Sequence, residues 1–164
     1  MDRVNKLLTD HNYLRLLGLN SRAEENRIFC RHSMDHLLAV ARLTYLLLLE
    51  NGETLVDKEL AYAAALLHDI GRHEEYSTGV DHALKSAELA GPLLLRAGFS
   101  VEERDFIGQA IAQHRVKDIS PPNRSPLSAA LSKADQLSRA CFACSAKTNC
   151  RTIIRQPHKE RLEY

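Results

Sequence analysis

The chain has no tryptophan, and aromatic residues make up 5% of its 164 positions, so the core has to be built mainly from aliphatic side chains. Neither sign of charge is in excess: 22 Lys and Arg stand against 21 Asp and Glu, a net charge of +1. That balance removes the electrostatic case for tight binding to nucleic acid or a membrane surface, and a charged ligand has to be met locally. Long hydrophobic runs are missing too. The longest, Leu43 to Leu49 and Leu60 to Leu67, fall far short of the roughly 20 residues that span a bilayer. The opening Met1 to Lys6 has no apolar h-region, which leads to the expectation of a cytoplasmic protein. There is no repeat, no low-complexity linker, and no useful stretch that alternates with period two.

What is present is apolar spacing near 3.6 residues, cut into segments by Gly, Pro and polar clusters. With a length suited to one core, this predicts an all-α, single-domain bundle of about six helices. Val4, Leu7, Leu8, Leu14 and Leu17 predict a first helix over 2–17, with a short piece over 21–28. A deep helix follows over 32–50 and stops at Asn51 and Gly52. The next, over 57–69, starts from Asp57 and carries Ala61, Ala63, Ala64 and Ala65, small enough for neighbours to approach closely. Further helices are predicted over 81–96, ended by Gly98, from a Ser100/Glu103 capping box to about 114, and over 126–138 behind Ser125 and Pro126. The stretch 116–126, "VKDISPPNRSP", reads as a loop, and periodicity is lost beyond 138.

Eight histidines are the unusual part of the composition. His36, His68, Asp69, His82, His114 and Asp135 sit at helix ends or in apolar helix contexts. A lone histidine on such a face is commonly a hydrogen-bonded core residue. The adjacent His68 and Asp69, at the end of an Ala- and Leu-rich helix, need a shared charge to justify burial. Asp135, beside Leu131, Ala134 and Leu137, faces inward and needs a partner. Imidazole and carboxylate together suit divalent metals of the manganese, iron, cobalt, nickel and zinc series.

His36 followed by Val40 and Ala41, then "LLHDIGR" at 66–72, then "KAD" at 133–135, resembles the HD-domain superfamily of metal-dependent phosphohydrolases, whose signature is H…HD…D. The resemblance spans roughly 30–138 and implies an HD-type helical bundle in which His36, His68, Asp69 and Asp135 hold a first metal. "DHALKSAELA" and "AIAQHR" extend it: His82 and His114 resemble the ligands of a second metal in two-metal branches, with Asp69 as the bridge. The pattern is similar to the bacterial branch that cleaves diadenosine tetraphosphate, except that Arg72 stands where that branch has Lys. The resemblance implies hydrolysis of a phosphate ester or anhydride by a metal-activated water, with Asp69 and Arg72 in the catalytic machinery. It also implies a small phosphorylated, nucleotide-like substrate. Arg72, Lys85 and Arg139, each near a ligand along the chain, are candidate phosphate contacts. His32 is a candidate for the layer behind the ligands, and His11, His73 and His158 are expected to be exposed.

Cys141, Cys144 and Cys150 form C-x2-C-x5-C, and Cys30 is the remaining cysteine. Cys30 precedes His36 by six residues and Cys141 follows Asp135 by six, so antiparallel helices would carry both out at one end, each by roughly 9 Å at 1.5 Å per residue. A four-cysteine site for structural zinc is one expectation, an iron–sulfur cluster its rival, and ordinary thiols the alternative. The division expected is an N-terminal helical segment at 1–28 packing on the core, an HD domain at 29–140 and a cysteine-containing tail at 141–164. A homo-oligomer is open. Two other functions stay open on the sequence: a metal- or redox-responsive regulatory module, and a di-iron oxygenase of HD type.

Overall fold

A computed structural model describes residues 1–116, 124–150, 153–154 and 161–162. Among these the regular structure is helical, in eight α-helices: α1 (Asp2–Thr9), α2 (His11–Ala23), α3 (Met34–Glu50), α4 (Lys58–Leu67), α5 (Arg72–Thr78), α6 (His82–Ala97), α7 (Val101–Gln113) and α8 (Pro126–Leu137). None is long and apolar enough to cross a membrane.

Two short helices account for the excess over six. The first predicted helix is broken at Asp10, whose backbone is extended (φ −66°, ψ 125°) and whose side chain accepts from the Asn12 and Tyr13 amides. The break rotates the register, so Tyr13, Leu16 and Asn20 carry the burial of α2 while Leu14 is 50% exposed. No separate helix forms over 21–28. α2 ends at Ala23, and buried Glu24 is committed to His32, whose amide it accepts at 2.7 Å and whose Nδ1 it also contacts. The other addition, α5, buries none of its residues, so no apolar stripe marks it in the sequence.

The other boundaries follow their local chemistry. Ser100 and Glu103 make the reciprocal capping box of α7, Asp57 caps α4 through the Leu60 amide, and Ser125 caps α8 ahead of Pro126. α3 lies along α4 and α8, α6 along α7, and α7 also against α8 and α4. The four alanines of α4 are fully buried, which lets these neighbours close on it. Val4, Leu7, Tyr13 and Leu16 of the N-terminal helices belong to the same apolar cluster as α3, α4 and α6 to α8. Arg3 clamps α1 onto Glu59 and Glu103 with bonds of 2.6 and 2.7 Å. The predicted loop lies mostly outside the described residues, as does His158. In the described part of the tail, Cys141–Ala143 and Lys147–Asn149 form single 3₁₀ turns.

Asp10 also receives both ends of the Arg96 fork, at 2.7 and 3.1 Å, and that pairing holds its carboxyl down to about 2. Asp10→Ala is expected to cost about 1 kcal/mol, read as a fall in thermal midpoint of about 2–4 °C. A carboxyl depressed in the folded state stabilises above its ordinary value of 3.8 and loses that contribution as pH falls toward about 2. The difference between variant and parent should therefore shrink across that window.

Candidate metal centre

Five helix ends converge under α4. His36 lies in the first turn of α3, His68 is the C-cap of α4 with Asp69 next, His82 opens α6, His114 is the C-cap of α7, and Asp135 lies in the last turn of α8. Their donor atoms form two sets close enough to share an ion: His36, His68, Asp69 and Asp135, and Asp69, His82 and His114. Asp69 belongs to both. Its Oδ2 faces the first set, 3.1 Å from His68 Nε2 and 3.8 Å from His36 Nε2, while its Oδ1 faces the second, 3.0 Å from His82 Nε2. Asp135 Oδ1 closes the first set, 3.3 Å from His36 Nε2.

Each imidazole is held from behind by its Nδ1. His68 and His114 meet the carbonyls of Ala65 and Ile111, both at 2.7 Å. A carbonyl only accepts, so Nδ1 carries the hydrogen, and in the neutral ring Nε2 offers its lone pair. His82 Nδ1 donates to Glu75 at 2.7 Å, and His36 Nδ1 lies 3.3 Å from the Ser138 hydroxyl, which itself donates to the Asp135 carbonyl. The Nε2 atoms of all four, and Asp69 Oδ2, are buried without a hydrogen-bond partner. An unsatisfied buried polar atom costs about 1–3 kcal/mol, so five together approach the whole stability of an ordinary domain, about 5–15 kcal/mol. Five such atoms aimed at one another fit divalent metal, the ligand class that takes lone pairs from imidazole and carboxylate.

The electrostatics agree. Burial opposes charge throughout, yet the surrounding histidines hold Asp69 and Asp135 well below the usual carboxylate range. His68 is pulled down by burial but raised to about 10 by the neighbouring Asp69 and Asp135 carboxylates, while burial and the His68 charge lower His114 to about 4.

The layer behind the ligands was mostly invisible in the sequence. Asn20, 2% exposed, donates to the Asp69 carbonyl at 2.8 Å and accepts from the His73 amide at 2.8 Å, clamping the turn after the His-Asp pair. His73 is accordingly half-buried on Asn20 rather than exposed; His11 is exposed. Glu75 orients His82 and also pairs with Arg72 and Arg115. His32 is buried, tied to Glu24, with Nε2 3.6 Å from Asp69 Oδ2.

A cavity of about 700 Å³ opens beside Asp135, lined among others by Arg27, Phe29, His32, Arg72 and Arg139. Arg72 Nε donates to Asp69 Oδ1 at 3.0 Å and Arg139 donates to Asp135 Oδ1 at 3.1 Å. Lys85 is not among the lining residues and pairs with Glu88 at 2.9 Å. Arg27, which belongs to no motif, also takes a place on that wall.

Known proteins resemble the chain over the region that holds this centre. The HD domain family model matches residues 34–140, which include all six donors. An uncharacterized protein of Clostridium beijerinckii is 37% identical over 150 residues, 92% of each chain. YueE of Bacillus subtilis, provisionally named a phosphohydrolase, is 32% identical over 119 residues, 65% of this chain and 66% of that one. A crystal structure described as a predicted HD superfamily hydrolase from an uncultured Thermotogales bacterium superposes with a TM-score of 0.58 at 31% identity, over 76% of this chain and 66% of that one. With its signature residues gathered on one buried centre and the family model spanning them, the chain belongs to the HD-domain family.

Proposed function

We propose that this HD-domain protein is a two-metal phosphohydrolase whose substrate is a small phosphorylated molecule of nucleotide type. The observation that carries the reading is Asp69, one oxygen turned to each donor set, with the unpartnered Nε2 atoms arranged around it. Divalent ions there supply a Lewis acid and bring the pKa of a coordinated water toward about 7. The chain's own groups supply the rest. Arg27, Arg72 and Arg139 all line one cavity, and a guanidinium group is suited to gripping phosphate oxygens in pairs. Phe29 lines the same cavity, and an aromatic ring there suits stacking by a base. Glu75, Ser138 and the carbonyls of Ala65 and Ile111 keep the four histidines in the donating tautomer.

The test is a metal-reconstituted screen, with manganese, iron, cobalt, nickel and zinc in turn, over nucleotides, diadenosine tetraphosphate and simple phosphate esters. Phosphate or nucleotide release without oxygen uptake is expected. Loaded protein that turns over none of them would mark a regulatory module, and turnover that consumes oxygen would mark an oxygenase.

Arg27→Ala is the clean probe of the cavity, because Arg27 bonds the Cys30 carbonyl and Tyr76 but none of the six donors. A hydrogen bond to a charged group contributes about 1.5–3 kcal/mol. KM is therefore expected to rise by about 10- to 100-fold, with kcat and metal content unchanged.

A further inference from the structure

The metal centre uses none of the four cysteines, yet all four come to one wall. Cys30 and Cys141 line both of two adjoining cavities: the one beside Asp135, to which Cys150 contributes, and a smaller one of about 330 Å³ beside His36, to which Cys144 contributes. The topology explains the meeting, since the start of α3 lies against the end of α8 and the cysteines lie just outside those two ends. The C-x2-C pair is folded into a turn, with the Cys144 amide bonded to the Cys141 carbonyl at 3.2 Å. A second turn ends at Cys150, whose amide bonds to Lys147 at 3.1 Å.

Residues 139–150 bury little apolar surface. Cys141 is the one buried residue among them, and a segment of two single 3₁₀ turns cannot order itself by apolar burial, so it calls for a cross-link. Charge favours an ionic one. Four thiolates around a divalent ion carry a net charge of about −2. Arg139 lines both cavities together with Cys30, and Arg27 donates to the Cys30 carbonyl at 2.9 Å, so two guanidinium groups already stand near where that charge would fall.

We propose that Cys30, Cys141, Cys144 and Cys150 bind one zinc ion, each thiol releasing its proton to solvent, and that this ion fastens 141–150 to the segment ahead of α3. The tail thereby becomes the wall of the substrate cavity. Two donor sets are already drawn together, and both consist of histidine and aspartate. Among the described residues the cysteine sulfurs are not gathered as those donors are, so the ion itself has to draw them in to about 2.3 Å. Four thiolates satisfy a tetrahedral ion without added sulfide, which favours zinc over a cluster.

The full-length protein, purified under reducing conditions, is expected to hold one zinc equivalent that resists weak chelators and is released by a mercurial thiol reagent. Cys144→Ser and Cys150→Ser should each lose that equivalent and keep the His/Asp metals. Because a serine variant could simply unfold the tail, cobalt substitution of the unaltered chain supplies a second reading. A sulfur-to-cobalt charge-transfer absorption is expected, and it should persist in His68→Ala. Cobalt without that absorption, four thiols that react freely in the native protein with no zinc present, or iron with acid-labile sulfide would each overturn the assignment. A chain that shows the absorption but hydrolyses nothing would sink the hydrolase reading and leave this one standing.

Discussion

Asp69→Ala is expected to strip both metals and to lower turnover by about a thousandfold or more. The size follows from its position. The other donors belong to one set each, whereas Asp69 supplies Oδ2 to His36 and His68 and Oδ1 to His82. Its loss also leaves Arg72 Nε without the carboxylate it donates to at 3.0 Å, and that arginine faces the cavity. Electrostatic assistance from a metal centre amounts to several kcal/mol, and about 4 kcal/mol is already a factor of about a thousand. His82→Ala is the matched comparison. It lies in the second set only, so the variant should keep one metal per chain, bound by His36, His68, Asp69 and Asp135. Metal content by elemental analysis, alongside thermal unfolding with and without chelator, reads both. The parent is expected to lose stability on chelation, because a ligand of the native state stabilises it by mass action, and Asp69→Ala should no longer respond. Asp69→Ala protein that still carries two metals would remove the bridge from the mechanism, and His82→Ala protein that loses both would merge the two sets into one.

The six clustered residues stood out in the sequence in two ways: some violate their surroundings, and the others were marked by the resemblance to the HD pattern. His68 and Asp69 end an alanine-rich helix, and Asp135 shares a face with buried Leu131 and Ala134. Apolar periodicity makes a misplaced polar group conspicuous. The same reasoning misses residues that break no pattern. Asn20, Glu24 and Glu75 are ordinary polar residues of helical or turn sequence, and their roles, clamping the Asp69 carbonyl, tying His32 and orienting His82, arise from contacts 7 to 49 positions away. α5 lacked a buried face and so lacked a signal. The break at Asp10 is a capping event inside a continuous stripe of leucines, where hydrogen bonds of one side chain outweighed the stripe. Sequence position also placed Lys85 on the face of His82, but its ammonium reaches Glu88 one turn further along the helix. Position along a helix sets where a side chain begins, and a nearby counter-charge decides where a flexible one ends.

Gly71→Ala should separate the two halves of the centre. Gly71 has ordinary backbone angles (φ −89°, ψ 6°), so alanine is conformationally acceptable there and the obstacle is space. A Cβ would stand 2.8 Å from the Ser86 amide nitrogen, 3.0 Å from Lys85 Cβ and 3.1 Å from the Lys85 carbonyl carbon, mostly rigid backbone of α6. The Gly71 amide donates to the fully buried Ser86 hydroxyl at 2.9 Å, which draws the turn after Asp69 onto that helix. Forcing a methyl into such a contact costs about 1–3 kcal/mol, a fall in thermal midpoint of about 2–4 °C per kcal/mol for a chain of this size. The more telling effect is chemical. His82 lies one turn before Ser86 on α6 and meets Asp69 Oδ1 at 3.0 Å, so pushing α6 outward opens the second set. The first set takes no residue from α6 and should keep its metal. The variant is expected to bind the second ion tenfold or more weakly, in the range of about 10–100-fold seen when support behind a ligand is lost. Ser86→Ala controls for stability alone. It removes the hydrogen bond, worth about 1 kcal/mol, adds no bulk, and should leave both ions bound. If Gly71→Ala retains two ions at the parent's affinity, the close approach of the turn to α6 serves packing only, and the spacing of the two donor sets is set elsewhere.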